Sequence, residues 1–443
     1  MAAPHRPPLP PVRVSGVVRP PGDKSISHRV LMLAALARDK SELRGLLTGD
    51  DVKSTARILR QLGVTVTTIK DSTVQVSGAG RARRARLTAP GARLNCGNSG
   101  TTARLILGIL AGHAFAATLT GDASLRRRPM RRVTEPLKAM GADIEESGDG
   151  LPLTIRGGKL RGLTYTSPVA SAQVKSALLF AGLTGNVPVT IREPYRSRDH
   201  TERLFAHLGL GVREQDGSIV FEPTVQPSNV PTVQLAVPGD ISSAAFLVAA
   251  AVLADGGELT IENVGVNPTR TGFLVVLERM GARVERVNLR DEGGEPVADL
   301  LVHPAALTGT EVTAAEIPTL VDEVPILAVL AGRARGATIF REVGELRVKE
   351  SNRLELVAAN LRAVGTQAEA RGNDLFVEGS YAPPRGRVET ASDHRLAMAF
   401  AVLGTLEGAD VKLSERKSVA ISYPHFFHDL RRIGARRTAP GAR

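Results

Sequence analysis

The chain has 443 residues, 42% of them hydrophobic, which is enough for two or more domains with sizeable cores. A single cysteine excludes an intramolecular disulfide and a cysteine-rich zinc site, and no apolar run approaches the ~20 residues needed to span a bilayer. The formal charge is +12, but the basic residues are scattered and aromatics make up only 3%, so the stacking platforms of an RNA- or single-strand-binding surface are scarce.

Residues 1–11 are Pro-rich, lack a hydrophobic signal core and read as a frayed tail or linker. Arg19-Pro20-Pro21-Gly22-Asp23 then breaks regular structure. From Asp23-Lys24-Ser25 a polar cluster runs straight into an Ala/Leu-rich stretch, the pattern of an N-capped buried helix. It is not a P-loop, because the positions that would need glycine hold Val18 and Asp23. Ser25 and Arg29 are four apart and share a face, so a hydroxyl, a guanidinium and free backbone N–H groups can form a phosphate clasp. The alternative is a capped helix with solvated charges.

Leu59-Arg60-Gln61-Leu62-Gly63 follows, ending an amphipathic helix on a glycine suited to the left-handed conformation, and Val64-Thr65-Val66-Thr67 alternates as a strand. Both markers then recur every 70 to 80 residues. The polar starts return at Asn98-Ser99-Gly100, Ser171-Ala172-Gln173, Asp240-Ile241-Ser242, Asp322-Glu323-Val324 and Asp393-His394-Arg395. The glycine-ended helices return at Gly141, Gly209, Gly281, Gly365 and Gly434. Six copies of strand, buried helix, strand, amphipathic helix, strand, strand are predicted. Helix starts gathered together, with Lys and Arg among them, suit negatively charged small molecules.

Between these markers, Cys96 reads as buried and inert, and Arg126-Arg127-Arg128 with Arg131-Arg132 forms the densest basic cluster. Val237-Pro238-Gly239-Asp240 repeats the earlier Pro-Gly break and cuts the chain into halves of three units each. In Leu346–Leu354, Lys349 and Arg353 are four apart beside Glu350; a carboxylate among cations can exchange protons while the cations hold an anion, although the segment taken alone reads first as a salt-bridged helix face. Asp322 and Asp393 read as helix caps, and His394 as a surface histidine. The histidines are dispersed without metal-ligand spacing, and no Gly-x-Ser-x-Gly elbow occurs.

Taken together, the chain after about Val12 resembles the 5-enolpyruvylshikimate-3-phosphate synthases, and its motifs look like the class II branch. The resemblance rests on Gly22–Arg29, Gly97–Thr101, Arg128-Pro129-Met130, Ser171–Lys175, Arg198–Glu202, Asn267–Arg270, Lys349–Arg353 and Asp393–Arg395. It implies an α/β architecture: a two-domain inside-out α/β barrel of six βαβαββ units, threefold pseudosymmetric in each domain, joined by a two-stranded hinge. The expected domains are 1–20 plus 240–443, and 21–239, with crossovers near 19–22 and 237–240. The implied reaction moves the enolpyruvyl group of phosphoenolpyruvate to the 5-hydroxyl of shikimate 3-phosphate, releasing phosphate, in the shikimate pathway. No cofactor or metal is implied, nor a nucleic-acid or membrane partner; a cytoplasmic monomer that is a glyphosate target is expected.

The resemblance carries roles over by position. Lys24, Ser25, Arg29, Ser171, Ala172, Gln173, Arg198, Asp322 and Lys349 fall on the shikimate 3-phosphate side. Lys24, Gly100, Arg128, Gln173, Arg353 and Arg395 fall on the phosphoenolpyruvate side. Asp322, Glu350 and Lys24 carry the catalytic roles, Asp322 taking the 5-hydroxyl proton and Glu350 serving the methylene carbon. One departure concerns the last motif, where many members have a lysine and this chain has Ile421; its nearest lysine is Lys417. Gly100 stands where a bulkier residue accompanies glyphosate tolerance. A sister transferase acting on UDP-N-acetylglucosamine is the nearest rival, but its usual cysteine is missing from Gly121–Arg128.

Overall fold

The computed structural model describes residues 12–78 and 87–435; the Pro-rich start read as a tail lies outside them. Six apolar helices form the interior: Lys24–Leu36, Gly100–Ala111, Ala172–Gly185, Ile241–Val252, Val324–Ala331 and His394–Leu403. Five of them open on a side-chain cap. Asp23, Ser99, Ser171, Asp240 and Asp393 accept from the backbone N–H of Ile26, Thr102, Val174, Ser242 and Arg395. Each bond satisfies one of the donors a helix start leaves orphaned. The sixth departs from expectation. Its N-cap is Glu323, which makes no capping bond, so Asp322 is not a cap. Pro325 at the start of that helix removes one orphan N–H by itself, which lessens the need for one.

Six amphipathic helices cover this interior, and the six glycines that follow them, at 63, 141, 209, 281, 365 and 434, all have positive φ. A side chain there would be strained, so the repeat marker in the sequence is a backbone requirement.

Five units build identical four-stranded sheets. In one, Leu94–Asn95 pairs parallel with Ala116–Thr120, which pairs antiparallel with Leu153–Arg156, which pairs antiparallel with Asp143–Glu146. The parallel pair needs a crossover, and the buried helix supplies it. The sixth unit has two parallel strands among the described residues, Arg385–Val388 and Asp410–Leu413.

Two sheets draw a strand from the far half of the chain. Gly16–Val18 pairs with Leu259–Gly265, and Gln234–Ala236 pairs with Lys40–Arg44. The apolar residues accordingly form two cores, one from residues 12–18 and 241–435, the other from 26–237. Where the chain crosses between them, the two segments lie side by side. The Asp23 N–H donates to Pro238 O (2.8 Å) and the Asp240 N–H to Pro21 O (2.9 Å). Gly22 is obligatory at this point, because a Cβ would come within 1.8 Å of the Gly45 carbonyl oxygen. Among the described residues no helix is long and apolar enough to cross a membrane.

Lys349 and Arg353 do not share a helix face. A 3-10 turn, Gly344–Val348, ends before Lys349, and the helix Arg353–Ala363 starts with Asn352 as its cap. Residues 349–352 therefore form a bend that aims Glu350 inward.

Candidate active site

A cavity of ≈ 520 Å³ lies between the two cores. Three buried helices of one half point their starts at it and bring Lys24, Ser25, Gly100, Thr101, Ser171, Ala172 and Gln173. The other half supplies Asp322, Lys349, Glu350 and Arg395. Nine Lys or Arg residues line the cavity against six Asp or Glu residues, so the free helix N-termini face a space already rich in positive charge.

Most of these cations are held by named partners. The Arg29 guanidinium donates to Thr201 Oγ1 (2.8 Å), Ser176 Oγ (2.7 Å) and the Ser25 carbonyl (2.8 Å). Burial pushes its pKa down to about 10, which leaves it protonated. Arg128 donates to Asn98 Oδ1 (2.7 Å) and lies 4.0 Å from Glu350. Lys24 Nζ sits 3.4 Å from Asp51. Arg198 crosses the cavity and binds Asp322 Oδ2 at 2.6 Å. Arg395 approaches the same carboxylate at 3.8 Å and donates to the Asp322 carbonyl at 3.1 Å.

Arg353 stands behind the cavity wall. Its side chain is fully buried, reads Asp393 with Nε (2.7 Å) and Nη2 (3.2 Å), and reaches Glu350 (2.6 Å) and Asp322 (3.5 Å). It thus couples the two carboxylates that face the cavity. Burial alone would raise the pKa of both. For Asp322 the cations Arg395, Arg198, Lys349 and Arg353 outweigh burial and hold it well below the usual range. For Glu350 the cations Arg353 and Arg128 do the same. Both are therefore ionised. His394 is buried, not at the surface; burial, with Lys24 beside it, pulls its pKa down to about 3, and the ring is neutral.

The expected residues Lys24, Ser25, Arg29, Gly100, Arg128, Ser171, Ala172, Gln173, Arg198, Asp322, Lys349, Glu350 and Arg395 all line this one cavity. Lys417 does not; it is exposed on a 3-10 turn, Lys417–Ile421. Cys96 is buried, and its thiol is pushed up to about 12. Asp51 and Arg104 are among the lining residues that were not read from the sequence. Asp51 looks like one of two acidic residues in the first turn of an ordinary helix. Arg104 carried a usable signal, being the one charge in the apolar helix Gly100–Ala111. Its guanidinium donates to Gln173 Oε1 (2.8 Å) and Pro129 O (3.0 Å).

Fold and cavity together define a two-domain α/β protein that holds polyanionic small molecules around a pair of ionised carboxylates. The chain belongs to the EPSP synthase (3-phosphoshikimate 1-carboxyvinyltransferase) family, whose profile matches residues 9–430. It is 47% identical over 424 residues to the 3-phosphoshikimate 1-carboxyvinyltransferase of a Synechococcus strain, covering 94% of this chain and 96% of that one. The enzyme of that name from Thermus thermophilus is 48% identical, with 95% and 96% covered. A solved EPSP synthase from Acinetobacter baumannii superposes with a TM-score of 0.84 at 36% identity, with 97% of each chain covered.

Proposed function

We propose that the chain transfers the enolpyruvyl group of phosphoenolpyruvate to the 5-hydroxyl of shikimate 3-phosphate and releases phosphate, a step of the shikimate pathway. The observation that carries this reading is the pairing of Asp322 and Glu350, two ionised carboxylates that face one cationic cavity from the same half and are linked through Arg353. Two phosphates and two carboxylates must be neutralised there, and arginine binds both groups bidentately.

Ser25, Arg29, Ser171, Ala172, Gln173 and Arg198 hold shikimate 3-phosphate, with Lys349 near its hydroxyls. Lys24, Gly100, Arg128, Gln173 and Arg395 form the phosphoenolpyruvate side, and Arg353 supports it from behind. Asp322 removes the 5-hydroxyl proton as the oxygen bonds to C2 of phosphoenolpyruvate. Glu350 delivers a proton to C3, then takes one back as the C2–O bond to phosphate breaks. An ionised Asp322 is the right form for its task. Glu350 must first gain a proton, and the ligands provide for that. Their anionic groups engage Arg128 and Lys24, two of the cations that hold Glu350 down, which relaxes that field.

The domains in this reading are 1–20 plus 240–443, and 21–239, with the paired crossovers as the hinge; the two separate cores support the division. Closure over both ligands would expel water from the charged site. The same reading takes the protein as a cytoplasmic monomer. The test is phosphate release from phosphoenolpyruvate by the purified protein. Release should require shikimate 3-phosphate, and release that depends on UDP-N-acetylglucosamine instead would overturn the assignment.

A further inference from the structure

Behind the start of helix Ala172–Gly185 lies a buried charge cluster that touches none of the reacting groups. Lys175 is one turn into that helix, on the side away from the cavity, and its side chain is only 1% exposed. Its Nζ sits 2.9 Å from Glu193 Oε2 and 2.7 Å from Glu202 Oε1, and donates to the Ser197 carbonyl at 3.3 Å. Burial would discharge this lysine, but Glu202 and Glu193 outweigh burial and raise its pKa, so the ammonium persists.

Glu193 is the centre of the cluster. It follows strand Val189–Arg192 and begins the loop that runs to helix His200–His207. Its Oε1 accepts the backbone N–H of Ser171 (3.0 Å) and the hydroxyl of Ser197 (2.7 Å). Its Oε2 takes Lys175 and the Ser197 N–H (3.4 Å). One carboxylate therefore ties together two chain segments that both line the cavity. One segment is the helix start that presents Ser171, Ala172 and Gln173. The other is the loop that presents Tyr195 and Arg198. Burying a lysine with two carboxylates is costly, and an apolar trio of similar volume would pack as well. What the apolar trio could not do is hold a helix start and a loop at fixed separation by directed bonds.

We infer that Glu193, with Lys175 as its buried counter-ion, is a positioning residue that sets the spacing between Ser171 and Arg198 and thereby the fit of the phosphorylated acceptor. The inference rests on the proposed assignment of Ser171 and Arg198 to shikimate 3-phosphate. Phosphoenolpyruvate, held chiefly by Lys24, Arg128 and Arg395 and reached from that helix start only by Gln173, depends on the spacing much less.

The test is steady-state kinetics of Glu193→Gln, which keeps the size of the side chain and loses its charge. KM for shikimate 3-phosphate should rise at least tenfold, while KM for phosphoenolpyruvate changes less than threefold. Ser197→Ala removes one bond to Glu193 without stranding Lys175, so it remains informative if Glu193→Gln does not fold. It should raise the acceptor KM three- to fivefold with the same selectivity. Equal changes in both KM values, or none in the acceptor KM, would overturn the inference. So would a loss of activity that follows only the fraction of protein unfolded, measured by thermal melts in parallel. If the unaltered protein shows no shikimate 3-phosphate-dependent phosphate release, the assignment of function fails instead, and the two failures are thereby distinguished.

Discussion

Asp322 and Asp393 occupy matching places, each at the start of a buried helix in the same half of the molecule, yet they lead different lives. Asp393 is completely buried and every lone pair is used: Oδ1 takes the Arg395 N–H (2.9 Å) and Arg353 Nη2, and Oδ2 takes Arg353 Nε and the Ser351 hydroxyl (2.9 Å). Asp322 caps nothing, borders the cavity, and is surrounded by cations. The comparison teaches that a repeat supplies the position and that local demand decides its use. Where a helix needs its cap, the carboxylate is consumed. Where Pro325 removes an orphan donor and Glu323 is turned to Ser242 and Arg270, the neighbouring carboxylate is left for chemistry.

The sharpest way to break this contrast is to neutralise each acid. Asp393→Asn should cost about 3–5 kcal/mol of stability, because it takes from the buried Arg353 the carboxylate that binds it through two nitrogens. Urea unfolding would show it, and a loss below about 1 kcal/mol would mean that Asp393 is not structural. Asp322→Asn should cost markedly less stability and lower kcat roughly 100-fold or more, the scale of general acid–base contributions. Glu350→Gln should behave like the Asp322 variant. Near-normal turnover in either would remove that residue from the mechanism.

Acid titration sharpens the contrast next. Asp322 and Asp393 both have folded pKa values below their unfolded ones. Their stabilising contribution is therefore present above an unfolded pKa of about 3.9 and is lost as pH falls from there through the folded values. The unaltered protein should lose stability more steeply than Asp393→Asn between about pH 5 and pH 2. Parallel curves would show that Asp393 contributes nothing through its charge.

The mildest perturbation comes from a third helix start. Ser99 caps its helix, which frees Gly100 to face the cavity, and the φ of Gly100 is not positive, so no turn requires glycine there. A Cβ would meet the guanidinium ends of Arg104 at 2.8 Å and Arg128 at 3.4 Å. Both can shift, but they would move into the cavity. Gly100→Ala should weaken glyphosate inhibition by about 1–3 kcal/mol, and raise KM for phosphoenolpyruvate by less, since glyphosate is a longer molecule than phosphoenolpyruvate. Equal shifts in the two constants would refute this.

Repeat number, helix starts and the glycine ends were legible in the sequence because each is a local requirement: an orphan N–H wants an oxygen, and a positive φ wants glycine. The family motifs located the cavity for the same reason, being short and contiguous. What was not legible depends on partners far along the chain. Asp51 joins the site only because Lys24 packs beside it, and Arg353 lies behind the wall only because Asp393 draws it there from 40 positions away. The expected helix face at Lys349–Arg353 failed because four-residue spacing cannot distinguish one helix from a 3-10 turn and a new helix separated by a bend.

The exchange of edge strands has a consequence for how the protein is made. Gly16–Val18 leaves the ribosome long before its parallel partner, which begins at Leu259. The segment between them contains every strand of three sheets and the whole of one core. That half can close as soon as Gln234–Ala236 has been synthesised and has paired with Lys40–Arg44. The earlier strand then waits beside a finished neighbour, tethered by the short Arg19–Asp23 crossover, until the second half arrives to claim it. The assembly order of the two lobes is thus written into the direction of translation.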